Sequence, residues 1–260
     1  MSRIFLDDHP TWALLPKKKG RTIVLLHGGL SSSASLLRVL GPRLSKRFEL
    51  AAFDRRGHGR TADTEEPFSY GSMADETIAF LELLKRRVYL LGHSDGANVA
   101  LLVALRRPDL VKRMVMVGAN YHHEGLVAMD DFTPTSPGFP EFAQQFGERS
   151  PDGAQHASVA VSKSQLLIRT QPTLKVQELR SMSVPVLIIS GDDDVVKLSH
   201  TVSMYETFPE AQLAILPGTS HAVLKEKTKE CVRFIKGFFL GPIPPTSLNP
   251  IRRAPHDSKE

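Results

Sequence analysis

A histidine, a serine and an aspartate stand side by side in YLLGHSDGAN (89–98). These are the side-chain types of a hydroxyl nucleophile, its base and the acid that orients the base. As neighbours they cannot act together. Successive side chains on a strand point to opposite faces, so His93 cannot hold the Ser94 hydroxyl at the ~3 Å that proton transfer requires. Ser94 is nevertheless the centre of Gly92-His93-Ser94-Asp95-Gly96, a G-x-S-x-G pattern with an apolar strand before it and an amphipathic helix after it. In that context a sharp strand-to-helix turn holds the serine in strained backbone geometry with its hydroxyl exposed. The flanking glycines let neighbouring backbone pass close, and the helix N-terminus supplies free N–H groups and positive dipole. Ser94 is the candidate nucleophile; the competing reading is an ordinary N-cap serine.

A serine nucleophile needs a base, and the base needs an acid. Of the ten histidines, His221 in LPGTSHAV follows the last strand in a loop of small residues, from which an imidazole can reach Ser94. His27 and His58 precede glycine turns and read as loop buttresses. His93 reads as packing under the elbow, and His122 and His123 as surface or substrate-facing residues. The acid is expected from the turn after VPVLIIS, which offers Asp192, Asp193 and Asp194. Three adjacent carboxylates in one short turn, with no further ligands, make a poor cation site, so no metal is expected. The chain order is then Ser, Asp, His, which accompanies a strand–elbow–helix architecture. An oxyanion needs two backbone N–H groups. Asp95, the residue after the nucleophile, supplies one, and Gly29 or Leu30 in the loop HGGLSSS (27–33) supplies the other. Gly28, in the same loop, is a candidate to line the substrate site.

These residues must be brought together by an α/β framework. Continuous apolar runs, as expected of strands buried on both faces, occur at 22–28, 49–57, 88–94, 113–119, 184–191 and 211–218. Helical spacing occurs between them at 35–47, 72–84 (with Ser72 as N-cap), 95–107, 198–208 and 225–239. The first twenty residues hold at most two edge strands, near Ile4–Leu6 and Trp12–Leu15. The alternation implies a mostly parallel sheet with functional groups at the carboxyl ends of its strands. It breaks at 121–183, a stretch with five prolines and helical patterns at 139–147, 153–169 and 173–182. The expected organisation is a core of 1–120 and 184–240, a helical cap of 121–183, and a disordered tail of 241–260.

Composition narrows the classes. At 260 residues, 41% hydrophobic and 23% charged, the chain fits an ordinary globule. The net charge of +5 is spread over short runs such as KKKG and separated arginine pairs, with no basic stripe carrying aromatics, which argues against nucleic acid. A single cysteine, Cys231, excludes internal disulfides. No apolar run approaches the length of a membrane span and no signal-peptide pattern opens the chain. The expectation is a cytoplasmic protein, monomer or homodimer, acting on a small molecule without a cofactor.

Taken together, HGG (27–29), DRRGHGRT (54–61), GHSDG (92–96), GDDD (191–194) and GTSH (218–221) resemble the α/β-hydrolase superfamily in type and order. The resemblance spans about residues 20–240 and implies that fold, with a cap where 121–183 falls. The family's G-x-x-D pattern picks out Asp194 as the acid. The S-D-G of the elbow and GAN (118–120) are similar to the valacyclovir-hydrolase type and its bacterial relatives. There the aspartate after the nucleophile binds a substrate ammonium, a role that the resemblance would give Asp95. An aspartate in the first helical turn is also stabilised by the helix dipole with no ligand at all. Asn120 and the cap phenylalanines Phe139 and Phe142 are further substrate-binding candidates; alternatively the phenylalanines only pack the cap. The N-terminal region is short against the opening strands of that family. The expected activity is that of a serine, carboxylesterase-like hydrolase cleaving an ester, amino-acid ester, lactone or thioester through an acyl-enzyme. Carbon–carbon hydrolysis, perhydrolysis or ligand reception on the same fold are the alternatives.

Overall fold

The computed structural model describes residues 2–6 and 8–242. Eight strands form one sheet: β1 (Ser2–Leu6), β2 (His9–Leu14), β3 (Thr22–Leu26), β4 (Glu49–Phe53), β5 (Val88–His93), β6 (Val111–Val117), β7 (Val186–Gly191) and β8 (Ala211–Leu216). Their spatial order is β1-β2-β4-β3-β5-β6-β7-β8. The two weakly patterned N-terminal segments form an antiparallel hairpin whose second strand pairs antiparallel with β4, and every other pairing is parallel. The short opening region therefore makes the whole sheet edge on β4's side. All of β3 is buried, as is β5 up to Leu91, because both sheet faces are covered.

Side chains alternate between two apolar layers. Ile23, Leu25, Leu91 and Val115 pack with α1 (Ser33–Leu44) and the C-terminal helix Thr228–Leu240. Val24, Leu26, Leu90 and Met116 pack with α2 (Tyr70–Leu83) and α3 (Asp95–Arg106) on the other side. Each such side chain contributes about 1.5–3 kcal/mol by leaving water. From β3 the chain runs outward to β4 and then returns to place β5 on β3's other side. That reversal opens a crevice beyond the carboxyl ends of β3 and β5, where the loop 27–32 and the elbow meet.

Several boundaries shift from the sequence reading, the helix expected over 225–239 being two, Val223–Glu226 and Thr228–Leu240, and two of the differences have a visible cause. Helix α2 begins at Tyr70, and its N-cap is Ser69, whose hydroxyl accepts from the Gly71 N–H, not Ser72. Tertiary contact explains the shift: Tyr70 is buried and its hydroxyl reaches Asp95, which draws it into the first turn. The helix expected over 173–182 is reduced to a 3-10 segment, Val176–Ser181. Residues 172–174 are extended instead, because they bond to the 121–123 strand-like segment: His123 N–H to the Pro172 carbonyl and Leu174 N–H to the Tyr121 carbonyl. Between β6 and β7 the chain also carries α3's successors, α4 (Phe139–Gly147) and α5 (Ala157–Thr170). After β7 come α6 (Leu198–Thr207), β8, the short α7 (Val223–Glu226), and α8 (Thr228–Leu240). Of the tail expected to be disordered, residues 243–260 lie outside the described residues. Among those described, no helix is long and apolar enough to cross a membrane.

Candidate active site

The elbow's residue types follow from how tightly three strands of backbone pass one another. Ser94 has φ 53° and ψ −126°, a region costly for a residue with a side chain and found where the surroundings over-determine the backbone. A Cβ on Gly92 would lie 2.2 Å from the Gly96 carbonyl oxygen, and one on Gly96 would lie 2.1 Å from that of Leu26. Neither position admits a side chain, so the G-x-S-x-G spacing is a steric requirement here.

The tight turn aims Ser94 Oγ at the loop after β8, where His221 Nε2 lies 2.9 Å away. On the far side of the ring, Nδ1 is 2.6 Å from Asp194 Oδ1. Burial alone raises the Asp194 carboxyl, but hydrogen bonds from His221, the Val196 N–H and the Ser190 hydroxyl outweigh it and hold it below the ordinary value. Asp194 is therefore a fixed anion, and it settles the tautomer: Nδ1 carries the proton and Nε2 is free to accept one from Ser94. The three aspartates of the turn separate cleanly. Asp194's side chain is 1% exposed. Asp192 instead accepts from the Thr219 N–H, tying this turn to the His221 loop, and Asp193 is exposed. Among the described residues no cluster of three or more ligating side chains could hold a metal ion.

His27, His58, His93, His122 and His123 have other surroundings. His93 Nε2 lies 3.0 Å from the His221 carbonyl oxygen. Burial, then the proximity of His221, lower its pKa to about 4, so at neutral pH it is an uncharged donor that holds the loop bearing His221. His27 and His58 are buried and kept neutral, by burial first and then by Arg55, with His58 pushed down to about 3. His122 and His123 stack on each other at 4.5 Å, outside the triad.

The loop after β3 also has an unusual backbone: Leu30 sits at φ 49°. A cavity of about 330 Å³ beside the triad is lined by Gly28, Gly29, Leu36, Val39, Ser94 and His221. A larger groove of about 970 Å³ under the insert is lined by Leu30, Phe132, Val161, Ser164 and Ile168 among others. Consecutive residues of one loop thus face two spaces: Gly28 and Gly29 the cavity that Ser94 and His221 also line, Leu30 the groove under the insert.

The remaining substrate-binding candidates are engaged elsewhere. Asn120 is buried, its Oδ1 accepting from Asn98 Nδ2 at 2.9 Å and its Nδ2 donating to the His122 carbonyl at 3.0 Å. It joins α3 to the start of the insert, and its amide is spent on doing so. Phe139 and Phe142 pack with Phe132, Phe146, Ala157 and Val161, with Leu30 at the edge of the cluster. Phe132, rather than either of them, lines the groove. Asp95 is 5% exposed; its Oδ1 accepts from the Tyr70 hydroxyl at 2.7 Å, and the Arg55 guanidinium is within electrostatic range. An ammonium ligand would have to share this carboxylate with the Tyr70 hydroxyl and sit in the field of the Arg55 cation.

Sequence reasoning passed over Arg55, Tyr70 and a cluster joining insert to core. In that cluster Asp63 receives His156 Nε2 at 2.7 Å and Lys163 Nζ at 2.9 Å. The one available signal was a charged residue, Arg55, two positions beyond the apolar end of β4.

A family profile described as the alpha/beta hydrolase family matches residues 23–234. A 2-(acetamidomethylene)succinate hydrolase of Mesorhizobium japonicum is 24% identical over 253 residues, covering 85% of this chain and 89% of that one. Among solved structures, the meta-cleavage product hydrolase CumD of Pseudomonas fluorescens IP01 superposes with a TM-score of 0.72 at 24% identity, over 92% of this chain and 97% of that one. A serine hydrolase involved in carbazole degradation, CarC, superposes with a TM-score of 0.73 at 19% identity, again over 92% and 97%.

Proposed function

The chain belongs to the alpha/beta hydrolase family, and within it we propose a serine hydrolase that cleaves an ester-like bond of a small molecule through an acyl-enzyme. The observation that carries this reading is the unbroken line Ser94 Oγ–His221 Nε2–His221 Nδ1–Asp194 Oδ1, at 2.9 and 2.6 Å, starting at the strained elbow.

In the first half-reaction Ser94 Oγ attacks the carbonyl carbon while His221 Nε2 takes the hydroxyl proton. Asp194 stabilises the imidazolium so formed, and the N–H groups of Asp95 and Gly29 receive the oxyanion. Collapse breaks the bond to the leaving group, which departs with the proton from His221. In the second half-reaction water attacks the acyl carbonyl, gives its proton to His221, and the acid product leaves as that proton returns to Ser94. Every step uses one base, and none requires a cofactor.

The two spaces flanking the oxyanion loop support a substrate with two unequal halves. The 330 Å³ cavity is at the small end of ligand sites and suits a short acyl or alcohol group, while the groove under the insert suits the bulkier half. Labelling with a fluorophosphonate tests the nucleophile: Ser94→Ala should abolish the adduct. A panel of p-nitrophenyl and amino-acid esters, measured beside Asp95→Ala, tests the substrate class. Selective loss on aminoacyl substrates supports an ammonium anchor at Asp95; equal loss across the panel rejects it.

A further inference from the structure

The Gly28–Gly29 peptide is where the oxyanion loop meets the buried interior. Its carbonyl oxygen accepts from His27 Nδ1 at 2.7 Å and from Arg55 Nη2 at 3.3 Å. A trans peptide sets C=O and N–H on opposite sides of the C–N bond. With the oxygen turned inward to His27 and Arg55, the Gly29 N–H is turned the other way. Gly28 and Gly29 share a cavity wall with Ser94 and His221, and a Cβ on Gly28 would lie 3.2 Å from Ser94 Cβ. Among the described residues the Gly29 N–H donates to no protein acceptor, as expected of a donor kept for a reacting atom.

Arg55 is completely buried, so it cannot touch substrate. Taking a guanidinium out of water is costly unless charge and hydrogen bonds meet it. Burial lowers its pKa, and Asp95, Glu76, Tyr70 and Asp54 oppose that effect. Of these, Asp95 is the group nearest the proposed reaction: a Cβ on Gly29 would lie 2.4 Å from Asp95 Oδ2. A carboxylate so close to an oxyanion repels it strongly where water is scarce. A methionine would fill similar space with no charge to bury, so the cation needs a reason.

We infer that Arg55 is a positioning residue for the oxyanion hole. By donating to the Gly28 carbonyl it aims the Gly29 N–H at the oxyanion, and by standing near Asp95 it offsets a carboxylate that opposes the developing charge. A donor on the carbonyl also polarises the peptide, which strengthens the N–H as a donor. His27 shares the first task, since its Nδ1–H is the shorter of the two bonds to Gly28. The inference rests on the proposed role of Ser94.

The test is the rate at which a fluorophosphonate phosphonylates Ser94, because its tetrahedral adduct places an oxygen in the oxyanion hole. Arg55→Met leaves Asp95 without its cation and can unfold the chain, so Arg55→Met/Asp95→Asn, which removes both charges, is measured beside it. The folded double variant should lose about 10–100-fold in phosphonylation rate and in kcat, with KM changed less than about threefold. The pH midpoint of kcat/KM should not move, because the His221–Asp194 pair is untouched. Arg55→Lys, which keeps the charge but not the fork of donors, should recover part of the rate. A folded double variant labelled at the wild-type rate overturns the inference, as does a loss confined to KM. Should neither methionine variant fold, Arg55→Lys decides: a drop of about threefold or more in phosphonylation with KM held supports the inference, and a wild-type rate overturns it. Wild-type protein that takes no label overturns the serine mechanism first, and this inference with it.

Discussion

Two carboxylate–imidazole pairs in this molecule look alike and are built for different work. Asp194–His221 is 2.6 Å long and Asp63–His156 2.7 Å. Their carboxylates are 1% and 3% exposed and their imidazoles 27% and 26%. The difference lies in what else each group touches. Among the described residues Asp194's other oxygen accepts a hydrogen bond from the uncharged Ser190 hydroxyl and from no cation, so its charge is available to an imidazolium. Asp63 already has a cation: Lys163 Nζ shares the same Oδ2 as His156. His221 presents its second nitrogen to a hydroxyl at a strained turn, whereas the bond to Asp63 occupies His156 Nε2, the ring's outer nitrogen. The first pair leaves the base's second nitrogen facing a hydroxyl, as the proposed proton transfer from Ser94 requires; the second is a closed ion cluster. It joins the core loop at 63–64 to α5 and to Asp152, whose carboxylate accepts from the Asp63 N–H. Buried acid–histidine geometry is therefore insufficient evidence of catalysis; an uncompensated carboxylate and a third partner at the second nitrogen make the distinction.

Substitution at the two acids should separate them most sharply. Asp194→Asn is expected to lower kcat by about 10⁴-fold, because the amide reverses the tautomer preference of His221 and cannot stabilise the imidazolium. Asp63→Asn is expected to change kcat by less than about tenfold. Equal losses in a steady-state ester assay would erase the contrast. Stability should show the reverse order of interest. Asp63→Asn strands Lys163 and His156 against a neutral group and should cost about 1–3 kcal/mol, several degrees in melting temperature.

That deficit should depend on pH in a definite direction. Burial raises the Asp63 carboxyl, but Lys163 and His156 outweigh it, and the folded value lies below the ordinary 3.8. A depressed carboxyl stabilises fully above its unfolded pKa and ceases to do so as pH falls through its folded one. Through Asp63's own titration, the melting difference between wild type and Asp63→Asn should thus shrink as pH falls below about 4. A difference that grows on acidification contradicts the ion-cluster account. The smallest effect is expected from His156→Gln, which preserves a donor toward Asp63 and leaves Lys163 in place. It should cost about 1 kcal/mol or less, well under Lys163→Met measured by the same melts.

Legibility followed distance along the chain. The strands β3, β5, β6 and β7 read plainly because both their faces are buried and the sequence there is an unbroken apolar run. The elbow read equally well, since Gly92, Ser94 and Gly96 lie within five residues and each answers a local steric demand. Residue types alone left the three aspartates of the acid turn open, and the resemblance to the family's G-x-x-D pattern favours Asp194; the burial of Asp194 and the Asp192–Thr219 bond supply the physical separation. Ser72 was mistaken for the cap of α2 because the burial of Tyr70, which moves the helix start, comes from Asp95 twenty-five residues away. Asn120 carried no mark of its bond to Asn98, and the lysine and histidine that close on Asp63 stand about a hundred residues from it.

The sequence by itself determined the local chemistry: which turn is tight enough to expose a serine, which runs must be strands, and which loops carry a spare histidine or carboxylate. These follow from steric and hydrophobic rules that act over a few residues. Only the tertiary structure decided which charges meet. An acid becomes the partner of an imidazole at 194, a clasp at 192 and an ion-cluster centre at 63 according to its burial and its partners, and both are properties of the packed chain. The same holds for Arg55, an unremarked member of a loop motif until the fold sets it against the Gly28 carbonyl.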